Sequence, residues 1–279
     1  MHNHLKQNMR INLDFQGRHA VVFGGTTGIN FGIADAFAAR GAAVTVVSRK
    51  PDNVSAAVER LKHHGGKVYG QCADVRDFEA VGQVFASAIQ QFGAVDVLVS
   101  GAAGNFLCAA NEMSPNGFKA VVDIDLMGTF HVLRQAYPYL RKPGASVINI
   151  SAPQSVLPMR WQSHVCAAKA GVDQLTRVLA LEWGDEGVRV NGISPGPIAG
   201  TEGVRRMMGA DEETQRAIIA TVPLRRLGEL DDIANLALFL ASPYASYISG
   251  TTIPCDGASL LDNLKATVES SGRALGSKG

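Results

Sequence analysis

The chain carries, near its N-terminus, a glycine-rich turn that could hold a phosphate. An apolar run leads into Gly24-Gly25-Thr26-Thr27-Gly28-Ile29, and a helical pattern follows. Glycines in such a turn let the backbone approach a diphosphate, and the next helix offers free N–H groups and the positive end of its dipole. The G-x-x-x-G spacing is also found in ordinary strand-to-helix turns. The turn therefore indicates a nucleotide site only if other positions support it.

Support comes from polar residues that follow the second and third apolar runs. Ser48, Arg49 and Lys50 stand where an acidic residue commonly binds a ribose 2′-hydroxyl. A hydroxyl and two cations suit a 2′-phosphate instead, so this segment predicts NADPH as the cofactor; the alternative is a solvated basic loop. Asp74 and Val75 are placed to meet the edge of an adenine.

These residues lie at the ends of short apolar runs that alternate with helical patterns. Such alternation predicts an α/β fold with a single Rossmann-type, doubly wound parallel sheet of about seven strands and helices on both faces. The predicted strands are Ala20–Gly24, Ala43–Ser48, Lys67–Cys72, Val95–Ser100, Ser146–Ser151, Arg189–Ser194 and Thr251–Cys255. The predicted helices are Gly28–Arg40, Asn53–His64, Phe78–Phe92, Gly117–Leu140, His164–Gly184 and Asp231–Ala241.

Length and composition favour one domain and exclude several partner classes. The chain has 279 residues, 46% hydrophobic and 18% charged, and can bury a large core. We expect a single domain over 1–279, with its core in 13–262, a substrate loop at 195–228 and flexible tails at both ends. A net charge of +1 gives no electrostatic attraction to nucleic acid or anionic membrane, and no apolar run could span a bilayer.

Cysteine and histidine usage argues against a metal centre. The four cysteines form no C-x-x-C pair, and none of the seven histidines falls in H-E-x-x-H spacing. We therefore expect no metal ligands and free thiols in a reducing compartment. The first 19 residues lack the apolar core of a secretion signal, so the expected location is cytoplasmic.

Over nearly its whole length the sequence resembles the short-chain dehydrogenase/reductase family. The matching motifs are Gly24-x-x-x-Gly28, Asp74-Val75, Ala102-Ala103-Gly104, Lys169, Arg189-Val190-Asn191 and Pro195-Gly196. The resemblance implies a nicotinamide cofactor, with Gly104 and Lys169 among its ligands, Lys169 on its ribose, and the segment from Pro195 to Ile198 near its carboxamide.

The family resemblance also implies a homotetramer built through the fourth and fifth long helices. Apolar residues on these helices exceed what one sheet face can cover, which supports assembly. The residues of this predicted stripe are Val121, Ile124, Met127, Phe130, Val172, Leu175 and Leu179.

Most of the family's usual catalytic residues are replaced. Val165 stands at the position of the tyrosine four residues before the lysine, Ala152 replaces the serine, and Asp125 replaces the asparagine. Reduction of a ketone needs a phenol-like acid to protonate the alkoxide, and this chain lacks it there. His164 or Ser151 could substitute for that acid, so an NADP-dependent carbonyl or 3-oxoacyl reductase is one alternative. A catalytically silent nucleotide-binding subunit is another.

Three segments look like the 2,4-dienoyl-CoA reductases of the family, most strongly the peroxisomal type, which also lacks the tyrosine. They are Ala102–Leu107, Asp123–Asp125 and Gly196–Gly203. The resemblance implies an acyl-CoA substrate and NADPH-dependent reduction of 2,4-dienoyl-CoA to 3-enoyl-CoA. Hydride would add at the δ-carbon, and the dienolate would take a proton at the α-carbon.

Asp125, Lys169 and Asp256 are the candidate catalytic residues. Asp125 could orient Lys169 or a water, or merely cap a loop. Asp256 follows the last predicted strand, where it could face the site from the carboxyl edge of the sheet or serve only in a turn.

Four further residues are candidates for binding the acyl-CoA. Asn105 and Phe106 follow the fourth strand and could line the acyl pocket, or form a plain loop. Arg205 and Arg206 lie in the loop 195–228, which is long enough for a lid with a short helix. They could meet the phosphates of coenzyme A, or lie on a solvated helix face.

Overall fold

Seven parallel strands form one sheet in the order β3-β2-β1-β4-β5-β6-β7, which confirms the predicted fold class. The computed structural model describes residues 13–208 and 212–264. The expected tails lie almost wholly outside the described residues. The strands are β1 His19–Phe23, β2 Ala43–Ser48, β3 Val68–Cys72, β4 Val97–Ser100, β5 Ser146–Ile150, β6 Arg189–Pro195 and β7 Thr252–Cys255.

Alternate residues of the strands feed two separate cores, one on each face of the sheet. Val22 of β1 and Val46 of β2 belong to the first core, whereas Val21 and Val47 belong to the second. Because strands buried on both faces need apolar residues throughout, the sequence shows continuous runs of Val and Ile rather than an alternating pattern.

Helices cover both faces at the positions that the sequence indicates. They are α1 Gly28–Ala39, α2 Pro51–Lys62, α3 Phe78–Phe92, α4 Pro115–Val122, α5 Gly128–Ala136, α6 Ser163–Trp183, α7 Glu202–Met208, α8 Glu212–Thr221 and α9 Leu230–Ala241. Helix α2 starts earlier than predicted because Pro51 occupies its first position, where a missing N–H costs nothing. The loop 195–228 carries two helices, α7 and α8.

The helical segment predicted over Gly117–Leu140 is present, but it is not a uniform α-helix. Between α4 and α5 the chain makes a π-helical turn, Asp123–Met127, and a 3₁₀ turn follows at Tyr137–Tyr139. The Thr129 hydroxyl donates to the backbone carbonyl of Asp125 at 2.6 Å, which competes with the normal helical bonds of that turn. Such π turns are frequent at functional sites.

Candidate active site

The strand order reverses between β1 and β4, and a cavity of about 300 Å³ opens at their carboxyl ends. Crevices at such reversal points are where open α/β sheets bind nucleotides. Ten of the predicted cofactor residues line it: Gly24, Thr26, Thr27, Ser48, Arg49, Lys50, Asp74, Val75, Ala102 and Ala103. The remaining ones do not: Gly28, Ile29, Gly104, Lys169, Pro195, Gly196 and Ile198.

The glycine turn leaves no room for side chains at its tightest point. Gly24 has φ +73°, and a Cβ atom there would lie 3.1 Å from the backbone nitrogen of Ala102. The N-cap of α1, Thr27, makes no side-chain capping bond. The N–H groups of the first helical turn therefore remain open to an anion.

Sequence reasoning missed Asn30 as a residue of this cavity. Its Nδ2 donates to the Gly101 carbonyl at 2.7 Å and so joins the turn after β1 to the end of β4. Its Oδ1 is buried and has no hydrogen-bond partner among the described residues. The partner of Nδ2 lies 71 residues away, so no local pattern could reveal the contact.

One end of the cavity is positively charged, because Arg49 and Lys50 line it just before α2 begins. Asn53, in the first turn of α2, lines the same end. Nearby, Arg76 donates from Nε and Nη2 to the Asp74 carboxylate at 3.0 and 2.6 Å. These bonds lower the pKa of Asp74, and the charge of Arg49 adds to the effect. Asp74 is therefore ionised and held in place by Arg76.

Asp125 and Lys169 form a buried ion pair. Lys169 Nζ lies 3.4 Å from Asp125 Oδ2, and their side chains are 7% and 1% exposed. The lysine donates to the Ile150 carbonyl at 3.0 Å, and Asp125 Oδ1 accepts from the Gly104 backbone N–H at 2.7 Å. Asp125 Oδ2 has no aligned hydrogen-bond donor in the described part of the chain. One carboxylate oxygen thus stays available to a water or a substrate proton.

Asp256 lies in a different setting. Its carboxylate accepts from the backbone N–H groups of Ala258 and Leu260, at 2.9 and 2.8 Å, and caps the turn that follows β7. It faces a second cavity of about 310 Å³, which also includes Ile198. Within the described residues no hydrogen bond or ion pair connects it to Asp125 or Lys169.

The first turn of α6 carries a buried histidine. His164 is fully buried, and its ring lies 4.5 Å from the Phe106 ring, centre to centre. Burial lowers the pKa of His164, while the Phe106 backbone and the Asp125 charge partly oppose this shift. Next to it, Val165 is 3% exposed and fills the position of the family's tyrosine with an apolar side chain.

Two loops border the His164 side of the site. Asn105 Nδ2 donates to Gln162 Oε1 at 3.2 Å, and the Cys108 backbone N–H donates to the Trp161 carbonyl at 2.9 Å. Trp161 is 58% exposed and adopts φ +64°, a conformation rare for a bulky residue. Sequence reasoning missed Trp161 and Gln162, because loop pairing leaves no periodic trace in the sequence.

The two arginines predicted to bind coenzyme A, Arg205 and Arg206, lie on α7. Arg205 forms an ion pair with Glu202 on the same exposed face of α7. The side chain of Arg206 lies outside the described residues.

Residues 13–208 and 212–264 contain neither a metal-binding cluster nor a helix that could span a membrane. These ranges contain no group of three or more His, Cys, Asp or Glu residues placed to hold a metal ion. No helix within the same ranges is long and apolar enough to cross a membrane.

Known proteins are similar to this chain over most of its length. Residues 24–258 match the family model described as enoyl-(acyl carrier protein) reductase. The chain is 42% identical over 252 residues to the peroxisomal 2,4-dienoyl-CoA reductase [(3E)-enoyl-CoA-producing] of Arabidopsis thaliana, covering 87% of this chain and 84% of that protein. It is 43% identical over 249 residues to the protein of the same name from Rattus norvegicus, covering 88% and 84%.

A solved structure shares the fold at similar coverage. The short-chain type dehydrogenase/reductase of Mycobacterium ulcerans superposes with a TM-score of 0.84 at 30% identity, over 92% of this chain and 96% of that one.

Proposed function

The chain belongs to the short-chain dehydrogenase/reductase family of oxidoreductases, which act with a nicotinamide cofactor, and we propose that it reduces 2,4-dienoyl-CoA to 3-enoyl-CoA with NADPH. One observation carries the proposal. Asp125 and Lys169 form a buried ion pair beside Val165. The site therefore offers a carboxylate and an ammonium group, and at the position of the usual tyrosine it has an apolar side chain in place of a phenol.

The cradle fits a dinucleotide with a 2′-phosphate. The open N–H groups of α1 would hold the diphosphate, and Gly24 allows its close approach. Arg49 and Lys50 would pair with the 2′-phosphate, assisted by the N-terminus of α2. The nicotinamide half would be held by Gly104, Lys169 and the motif residues further along the chain, which are Pro195, Gly196 and Ile198.

When bound, the reduced nicotinamide supplies a hydride to the δ-carbon of the dienoyl group. Lys169 has three donor hydrogens and donates one of them to the Ile150 carbonyl, while Asp125 lies 3.4 Å away as its counterion without an aligned hydrogen bond. The other hydrogens remain for the cofactor ribose or for an ordered water. The lysine charge also offsets the negative charge that develops on the conjugated thioester.

Asp125 would position the proton source. Its Oδ1 is fixed by Gly104 and its Oδ2 is free to accept from a water. That water would deliver the proton to the α-carbon, and the double bond would remain between carbons 3 and 4. Asp256 enters this scheme only through a rearrangement of the turn that it caps.

For the acyl-CoA we propose that Asn105 and Phe106 border the thioester. Phe106 is 39% exposed, and its ring packs against His164 at 4.5 Å, centre to centre. Arg205 and Arg206 stay candidates for the phosphates of coenzyme A, since α7 follows directly on the segment that contains Ile198.

One assay tests the function. We expect NADPH to be consumed with sorbyl-CoA and not with acetoacetyl-CoA, and NMR of the product should show a 3,4 double bond. Consumption with acetoacetyl-CoA alone would instead support the carbonyl reductase. Tight NADPH binding without turnover of either thioester would support the silent subunit.

We further propose a homotetramer located in the cytoplasm. Val121, Val172 and Leu179 of the predicted stripe are buried in the subunit and cannot contribute. Apolar side chains of α4 to α6 nevertheless remain exposed for assembly; they are Phe118, Met127, Phe130, Val178 and Leu181.

A further inference from the structure

His164 is a buried polar side chain without a well-aligned hydrogen bond in the described part of the chain, although the Phe106 backbone is near enough to affect its pKa. It is fully buried, and neither ring nitrogen has a hydrogen-bond partner of good geometry in residues 13–208 and 212–264. Buried polar groups in proteins are almost always hydrogen-bonded, and an unpaired one is destabilising. The other buried histidine, His19, follows this rule, since its ring nitrogens contact the Gly93 carbonyl at 3.0 Å and the Thr45 hydroxyl at 2.9 Å.

The place of His164 connects it to the reaction. It is the second residue of α6 and precedes Val165, on the helix that also carries Lys169. Its ring packs against Phe106, and the Asp125 carboxylate is close enough to affect its protonation. The imidazole thus lies among the residues proposed to surround the thioester.

The reaction requires a hydrogen-bond donor at the thioester oxygen. Addition of hydride at the δ-carbon moves the π electrons along the conjugated chain and leaves negative charge on that oxygen. Asp125 is an acceptor when ionised, and Val165 cannot donate at all. Burial and the positive end of the α6 dipole both favour neutral His164, which carries one N–H donor.

We propose that His164, as a neutral imidazole, donates a hydrogen bond to the thioester oxygen and stabilises the dienolate. This inference rests on the proposed function. The ring keeps its proton throughout, and the proton that ends on the α-carbon comes from the water beside Asp125, so hydride and proton together give the 3-enoyl thioester. Because both ring nitrogens are buried, the substrate must displace a covering side chain. Phe106, whose ring packs against His164 and is 39% exposed, is the side chain that would have to move.

The test compares two substitutions of His164 with a matched change at His19. His164→Leu removes the donor but also the unpaired polar group, so we expect a melting temperature equal to or above that of the wild type. Its kcat for sorbyl-CoA should fall by about 10²–10³-fold, the usual effect of losing one such donor. His164→Asn keeps an N–H donor and should recover part of the lost kcat. His19→Leu should lower the melting temperature and leave kcat unchanged, because His19 lies at the opposite end of the strands.

Each result decides between the alternatives. A His164→Leu enzyme with the wild-type kcat would refute the donor role while the proposed function stood. A lower kcat together with a lower melting temperature would show a packing role and would also refute it. If the wild type itself leaves sorbyl-CoA unreduced, the proposed function fails and this inference fails with it.

Discussion

Replacing Asp125 by asparagine separates the charge of this residue from its structural bond. Asparagine keeps an oxygen that can accept from the Gly104 N–H, the 2.7 Å bond that holds the loop after β4. It removes the negative charge that lies 3.4 Å from Lys169. Asp125→Ala removes both features, so the two variants together report on each.

The structure sets the expected magnitudes. In Asp125→Asn the buried Lys169 ammonium loses its counterion and keeps only the Ile150 carbonyl, and breaking such a pair costs up to about 3–5 kcal/mol of unfolding free energy. In Asp125→Ala the Gly104 N–H is unpaired as well, which costs about 1–3 kcal/mol more. Loss of a group that positions a proton source should lower kcat by about 10²–10⁴-fold in both variants.

Three quantities are measured: kcat with sorbyl-CoA, the Kd for NADPH, and the free energy of unfolding in urea. We expect Asp125→Asn to lose turnover while its Kd for NADPH stays close to that of the wild type. Asp125→Ala should bind NADPH more weakly, because the loop anchored through Gly104 includes Ala102 and Ala103 of the cofactor cavity. Turnover by Asp125→Asn within a few-fold of the wild type would refute the assigned role of the carboxylate.

Other parts of the structure give further expectations. Arg49→Ala should reduce the preference for NADPH over NADH at least tenfold in binding titrations, since a charge-assisted contact contributes about 1.5–3 kcal/mol; equal wild-type affinities would contradict the 2′-phosphate site. Burial lowers the pKa of His19 from 6.5, so the unfolded chain binds more protons below that pH. The free energy of unfolding should therefore fall as the pH drops below 6.5, and it should fall less steeply in His19→Leu. Urea unfolding of both proteins at several pH values measures this difference. Light scattering should give a tetramer that Leu181→Arg dissociates, because Leu181 is 82% exposed on α6; a wild-type monomer would exclude the assembly.

The sequence predicts the sheet well because the relevant signal is local. Short apolar runs, most of them rich in Val and Ile and bounded by Gly, Asp, Ser or Pro, place all seven strands within two residues of their observed limits. The glycine turn and the basic segment after β2 likewise reach the same cavity, since the carboxyl ends of parallel strands meet at one edge. These inferences need only the period of the pattern and the order of the elements.

The inner details of the site depend on contacts between distant residues. The π turn at Asp123–Met127 accompanies a bond between Asp125 and Gly104, 21 residues apart, and nothing in the helical pattern marks it. The unpaired ring of His164 is visible only once Phe106 and α6 are in place. The sequence leaves open whether Asp256 faces the site or serves only in a turn, and its two backbone bonds show that it caps the turn.

The replacements at Asp125 and Val165 are chemically consistent with each other. Reduction of a ketone concentrates charge on one oxygen, which must take a proton from an acid at that point; an ionised carboxylate nearby would oppose that charge. In a conjugated thioester the charge spreads between the oxygen and the α-carbon, and the proton finally adds to carbon. The oxygen then needs only a donor that keeps its proton, for which neutral His164 is suited. The Asp125 carboxylate positions the water that protonates the α-carbon, while His164 donates to the thioester oxygen. Separate groups in one site can therefore stabilise the oxygen and protonate the carbon.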